Sequence, residues 1–404
     1  MVQIAVMGYG TVGSGVVEVL NTNQASINKR AGDEINIKYV LDLREFPGDP
    51  VESKLIHDFE TIVNDPEIKI VVEVMGGVEP AYTFTKRCLE AGKSVCTSNK
   101  ELVARHGAEL LEIARERNLN YLFEASVGGG IPIIRPLNSS LTADEITEIT
   151  GILNGTTNYI LTKMSYGGID FDTALKNAQA KGYAERNPEA DVEGYDACRK
   201  IAILTSLVSG RQVDFEDIYT EGITKVTAED IKYAKKLGRA VKLLAMSKKE
   251  DGKFFAMVAP FLINEMHPLY SVNGVFNAIF AKGNVLGDVM FYGSGAGKLP
   301  TASAVVADVV DAAKHLHRSI MTFWSTKKLE LTDISNAKRR FFVRAKGDGQ
   351  TDAIAMAELF GPIELVNADL EGEYGFVTGK LTEAEYRERA DKTDAILHMT
   401  RMEG

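Results

Sequence analysis

A chain of 404 residues with 45% hydrophobic and 25% charged residues has the composition of an ordinary globular protein, and its length calls for two or three domains rather than one core. A formal charge of -10 without a basic stripe argues against a nucleic-acid partner, and no apolar run reaches membrane-spanning length, so cytoplasm is the expected location. Cys88, Cys96 and Cys198 are odd in number and lack metal-type spacing, which argues against a zinc site and predicts reduced, buried thiols.

The first predicted strand, Val2 to Met7, runs directly into Gly8-Tyr9-Gly10-Thr11-Val12-Gly13 and then a helix from Ser14 to Leu20. A glycine motif between strand and helix allows a tight turn, close approach of a pyrophosphate and close helix packing, so Gly8, Gly10, Thr11, Val12 and Gly13 are the expected dinucleotide contacts. The second strand, Asn36 to Leu41, ends at Asp42, which suits the adenosine ribose of NAD, while Arg44 suits the 2'-phosphate of NADP. The two signals conflict, and both cofactors stay open. The strand Lys69 to Met75, the turn Gly76-Gly77, a helix from about Pro80 to Ala91, the strand Ser94 to Thr97 and a helix from Leu102 to Arg117 complete a strand and helix alternation. It reads as a doubly wound parallel sheet, an α/β Rossmann domain. Gly76 and Ser98-Asn99-Lys100 follow strand ends and should line its crevice, with Lys100 reaching substrate or nicotinamide.

The strand Asn120 to Phe123 leads into Glu124 and the triple glycine Gly128-Gly129-Gly130. A carboxylate beside bare carbonyls suits a hard monovalent cation, and a flexible crossover between domains explains the same residues. After Pro136 the pattern changes, with a strand from Glu148 to Leu153 and a polar turn at Gly155-Thr156-Thr157-Asn158. The segment Gly182 to Lys200 then enters Ile201-Ala202-Ile203-Leu204, a helical run so apolar that protein must cover both faces. Lys200 is therefore on a buried helix, with Asp196 one turn earlier on the same face. Glu185 and Asp191 precede it in a loop broken by Gly182, Pro188 and Gly194, and from there they can converge on the lysine. A desolvated lysine among carboxylates is a proton donor and acceptor, in preference to a purely structural ion pair.

Beyond this segment, Val241 to Ser247 and Phe254 to Ile263 flank a turn at Asp251-Gly252, and Phe276 to Ala281 and Val289 to Tyr292 flank another. Such hairpins indicate an antiparallel sheet in an α+β domain. Gly293 to Gly297 precedes a helix expected to return to the first domain, and a charged connection from Ser325 to Arg340 introduces a βαββαβ unit of ferredoxin-like order. The expected domains are 1–135, completed by a helix over 299–318, then 136–298, and then 340–404.

Six collinear segments together resemble homoserine dehydrogenases of the monofunctional bacterial type: Gly8 to Gly13, Ser98 to Lys100, Glu124 to Pro132, Gly151 to Tyr159, Gly182 to Lys200, and Gly295 to Gly297 with Pro300-Thr301. The resemblance implies NAD- or NADP-dependent interconversion of L-homoserine and L-aspartate 4-semialdehyde. It implies Lys200 as the acid/base with Asp196 beside it, Glu185 and Asp191 on the substrate amino group and hydroxyl, and Lys100 near substrate and cofactor. Gly155, Thr156 and Tyr183 fall to the substrate, Gly297 to the cofactor. Glu124 with the carbonyls of Val127, Gly129 and Ile131 is implied to hold sodium or potassium. Arg186-Asn187 stands where the family usually shows an acid before the proline.

The last unit is similar to an ACT domain in its order of elements, which implies threonine as an effector and a homodimer or homotetramer. On that reading a chain ending near Lys338 keeps its activity and loses threonine sensitivity. Two other classes fit parts of the sequence: a different Rossmann oxidoreductase of amino or sugar substrates, and a non-catalytic amino-acid sensor.

Overall fold

The structure is a computed structural model that describes residues 1–403. Six parallel strands make the first sheet, in the spatial order Leu55–Ile56, Ile35–Leu41, Val2–Met7, Ile68–Glu73, Ser94–Thr97, Tyr121–Leu122. Ile4, Val6, Ile70 and Val72 are fully buried, as expected where helices cover both faces of a parallel sheet. The order reverses between Val2–Met7 and Ile68–Glu73, and that reversal opens a crevice at the carboxyl ends of the strands. The late helix, Lys298–Lys314, does return to this domain and packs on Thr11–Thr22. Gly15 lets the two helices approach, since a Cβ there would sit 2.9 Å from the Lys298 carbonyl.

The second sheet begins antiparallel, in the order Gly287–Ser294, Phe276–Gly283, Ile146–Ile152, Arg239–Glu250, Lys253–Asn264. Asp251-Gly252 joins the last two strands, with both residues at positive φ. The helix Tyr195–Ser209 packs on these two strands and, elsewhere on its surface, against Lys100–Glu116 of the first domain. Contact with both domains accounts for its wide apolar surface. It also carries Lys200 to the junction between the two sheets.

The C-terminal strands take the order Ile396–Glu403, Phe341–Lys346, Glu373–Thr378, Ile363–Val366, which is the ferredoxin-like arrangement. They do not form a detached unit. Ile396–Glu403 pairs in parallel with Lys253–Asn264, Phe261 opposite Arg401, so the middle sheet continues without a break into the last one. Charged pairs cross the same junction: Arg344 lies 3.0 Å from Asp230, and Arg401, held by Glu383 of its own unit, lies 2.6 Å from Glu221. The unit expected beyond a charged linker therefore shares a sheet with the middle domain. Strand alternation shows which face is buried, but not which edge pairs with which.

Candidate active site

Glycine geometry shapes the cofactor side of the crevice. Gly8 has φ +99°, and a Cβ on Gly13 would overlap the Gly8 carbonyl, so both positions are set by the turn and by helix packing. Gly10 differs, since no chain atom lies within 4 Å of where its Cβ would be. Packing does not demand that glycine, whereas a pyrophosphate at the N-terminus of Thr11–Thr22 would. A cavity of about 510 Å³ runs from Gly8 and Gly10 past Asp42, Arg44 and Gly76. The competing signals Asp42 and Arg44 prove to be partners: the guanidinium lies 2.9 Å from the carboxylate, which also accepts from Tyr9 N at 2.8 Å. Arg44 holds the Asp42 carboxyl well below its usual range, against the opposing effect of burial.

A second cavity, about 520 Å³, lies between the domains. It brings together Val12, Lys100, Gly155, Thr156, Tyr183, Glu185, Asp191, Asp196, Lys200 and Gly297, drawn from elements scattered along the chain. Lys200 is buried, with Nζ donating to Asp196 Oδ2 at 2.7 Å and to the Leu153 carbonyl at 2.8 Å. The other Asp196 oxygen lies 2.5 Å from Lys100 Nζ. Burial opposes charge on Asp196, but the two ammonium groups overcome it and hold its carboxyl far below the usual range. Lys200 moves the other way: burial lowers its pKa, Lys100 adds to the lowering, and Asp196 resists it. Asp191 is raised, first by burial and then by the neighbouring charge of Asp196. Glu185 is exposed at the cavity mouth, and the Thr156 hydroxyl donates to the Tyr183 carbonyl at 2.6 Å.

Two residues without an assigned role organise these groups. Asn154 donates from Nδ2 to Asp191 at 2.7 Å and to Asp196 at 2.9 Å, while its oxygen caps the helix Gly155–Gly167 at Thr157 N. Its only signal in the sequence is an asparagine in the N-cap position before Gly155-Thr156-Thr157. Glu73, fully buried, accepts from Thr97 Oγ1 at 2.6 Å and from Met75 N at 2.9 Å. It ties together the two strand ends that carry Gly76 and Lys100. Asn99 then caps the helix Lys100–Glu116 and donates to the Gly77 carbonyl at 2.6 Å.

Glu124 sits differently from a simple carboxylate ligand. Its oxygens accept from the backbone N–H groups of Ile133, Ile134 and Arg135 at 2.6 to 2.8 Å. The hydrogen bonds that shape the following loop end on the carbonyls of Gly128 and Ser294 rather than on Val127, Gly129 or Ile131. Asp308 on the returning helix accepts from Glu124 N at 2.8 Å and pairs with Arg135, so this loop is fixed to the first domain.

With this geometry in place, the comparisons with known proteins are decisive. The profile described as "Homoserine dehydrogenase, NAD binding domain" matches residues 8–124, and "Homoserine dehydrogenase" matches 132–310. The homoserine dehydrogenase of Synechocystis sp. is 49% identical over 316 residues, 77% of this chain and 73% of that protein. The chain belongs to the homoserine dehydrogenase family. The Bacillus subtilis homoserine dehydrogenase is 41% identical over 322 residues, covering 79% and 74% of the two chains. The crystal structure of a homoserine dehydrogenase from Thiobacillus denitrificans superposes with a TM-score of 0.91 at 34% identity, over 100% of this chain and 98% of that one. A hyperthermophilic archaeal homoserine dehydrogenase solved with NADPH reaches a TM-score of 0.64 at 30% identity, over 77% of this chain and 97% of its own. As a homoserine dehydrogenase, the chain is an oxidoreductase acting on a CH–OH group with a nicotinamide dinucleotide, and its six matching segments all fall within elements that build or flank the crevice. Among the described residues no helix is long and apolar enough to cross a membrane.

Proposed function

We propose that Lys200 exchanges the hydroxyl proton as L-homoserine and L-aspartate 4-semialdehyde interconvert, and the observation that carries this is its ammonium fixed at the cavity wall. Two of its three donors are taken by Asp196 and Leu153, and the third is left for the substrate oxygen. Neutral Lys200 accepts the hydroxyl proton in oxidation, and protonated Lys200 returns one to the aldehyde oxygen in reduction. The residues assigned to the dinucleotide would hold a nicotinamide whose oxidised form could take the hydride and whose reduced form could return it. Asp191 orients the substrate hydroxyl, Glu185 takes the amino group at the mouth, and the backbone at Gly155 and Thr156 with Tyr183 closes the pocket. Lys100 shares Asp196 with Lys200 and is assigned to reach both substrate and cofactor from the cavity wall. Gly8 to Gly13, Gly76 and Gly297 are assigned to the dinucleotide.

Both cofactors are assigned to the site, Asp42 serving the ribose of NAD and Arg44 the phosphate of NADP, because the pair offsets its own charges. A sodium or potassium ion is assigned to the carbonyls of Val127, Gly129 and Ile131, with Glu124 bracing their loop. Threonine as effector and a homodimer or homotetramer built on the middle sheet complete the proposal. Its edge strand carries exposed Met290 and Tyr292. The deciding experiment is Lys200→Ala: kcat for homoserine oxidation should fall by about 10² to 10⁴ with cofactor binding nearly intact. A variant with the parent kcat overturns the assignment.

A further inference from the structure

Asn277 is fully buried, and neither its side-chain oxygen nor its nitrogen has a hydrogen-bond partner in the chain. Buried amides are satisfied in the great majority of cases, so an amide left with neither bond calls for an explanation. The position of this one is specific. Asn277 begins the buried part of the strand Phe276–Gly283 and pairs opposite Gly293, which has no side chain to cover it. The amide therefore lies against Gly295, where a Cβ would overlap it, and its oxygen is 3.5 Å from the place a Cβ would take on Gly155. Gly155 opens a helix that lines the cavity, and Gly295, Ala296 and Gly297 line it as well, Gly155 on what the proposed function takes as its substrate side and the other three on its cofactor side. Asn277 does not itself line the cavity. It stands behind two backbone segments that do.

We infer that Asn277 is a positioning residue for the loop Gly295 to Gly297 that follows the strand Gly287–Ser294, its Nδ2 donating to a loop carbonyl in the cofactor complex. The loop is suited to such a shift, with glycine at two of its three positions and with Ala296 and Gly297 exposed. It also ends at the N-terminus of Lys298–Lys314, the helix that packs on the glycine-motif helix, so a dinucleotide along that motif meets it. The amide oxygen faces the N-terminus of Gly155–Gly167, where the helix dipole favours it, and this orientation turns the nitrogen toward the loop. Through Asn277 the substrate-side helix and the cofactor-side loop are held in one register.

The inference rests on the dehydrogenase reading, and the test keeps the two apart. Asn277→Leu keeps the branched shape and removes both polar atoms, and Asn277→Asp keeps the shape and removes the donor. NADP and NAD affinities are measured by titration calorimetry on each protein alone, beside thermal melts and parent turnover of homoserine. The expected result is a Kd raised about tenfold in both variants, the worth of one hydrogen bond made only in the complex. Asn277→Leu should melt at or above the parent temperature, because it no longer buries an unpaired amide. If Asn277→Leu does not fold, Asn277→Asp decides alone. Cofactor Kd within twofold of the parent in every variant that folds overturns the inference, whereas a parent that fails to turn over homoserine strikes the dehydrogenase reading instead.

Discussion

Asp196 sets the charge balance of the site, because one buried carboxylate serves two ammonium groups on its two oxygens. Lys100 therefore acts on Lys200 in two ways: it repels the second positive charge directly, and it draws on the carboxylate that would otherwise stabilise it. Both effects keep the Lys200 pKa down, in the same direction as burial. With Lys200 as the proposed acid/base, homoserine oxidation would need it neutral, so its rate should rise with pH through the Lys200 pKa, while aldehyde reduction should fall over the same interval. Removing Lys100 raises the Lys200 pKa, so in Lys100→Met the rising limb of kcat for oxidation should move to higher pH. A pH profile of that variant with its limb unmoved would show that Lys100 does not tune the acid/base. Such coupling is only half legible in the sequence. The Asp196 and Lys200 pair is visible from its four-residue spacing on a helix, and the loop punctuation shows that Asp191 must converge from outside it. Lys100 arrives from the other domain, and Asn154 looks like any helix cap, so neither link can be read from local spacing.

At the scale of elements, the strand Arg239–Glu250 carries a lysine that the sequence treats as one more polar position. Lys242 is buried, and its Nζ donates to the Val272 carbonyl at 2.5 Å and to Asn273 Oδ1 at 2.8 Å. It pins the loop between the strands Lys253–Asn264 and Phe276–Gly283, and Val275 of that loop closes against Gly155. Burial without a carboxylate partner lowers its pKa to about 8. The unfolded lysine titrates near 10.4, so between these values the unfolded chain binds the extra proton and stability rises with pH. Against Lys242→Met, the parent should therefore gain on the order of 2 kcal/mol between pH 7 and pH 10, measured as the difference in urea unfolding free energy at each pH. An offset that stays constant across that range would mean the lysine keeps its proton on folding. Alternation in the sequence places this strand and its turn correctly. It cannot reveal that a long polar side chain has been turned inward to hold a loop, because a strand's period shows faces and not partners.

On the scale of the whole molecule, the last four strands are not an appendage. Ile396–Glu403 covers the edge of Lys253–Asn264, the strand whose other side pairs with Arg239–Glu250. Edge backbone groups left unpaired invite association with other chains. Removing the unit would also strip Arg344 from Asp230, which is almost fully buried, and Arg401 from Glu221. It would also take Phe342, Val377 and Met402 out of the core they share with Tyr233 and Leu262, returning that apolar surface to water at about 25 cal/mol per Å², against the roughly 5 to 15 kcal/mol that holds a domain folded. A chain ending at Lys338 should therefore lose cooperative thermal unfolding and aggregate, rather than survive as an active enzyme freed from its effector. Regulation by threonine, if the unit binds it, would have to travel through this continuous sheet, and the intact enzyme is the form in which to measure it. A truncated chain that melts cooperatively near the parent temperature and still oxidises homoserine would show that the shared sheet is dispensable. The expected outcome is the reverse, with activity and folding lost together.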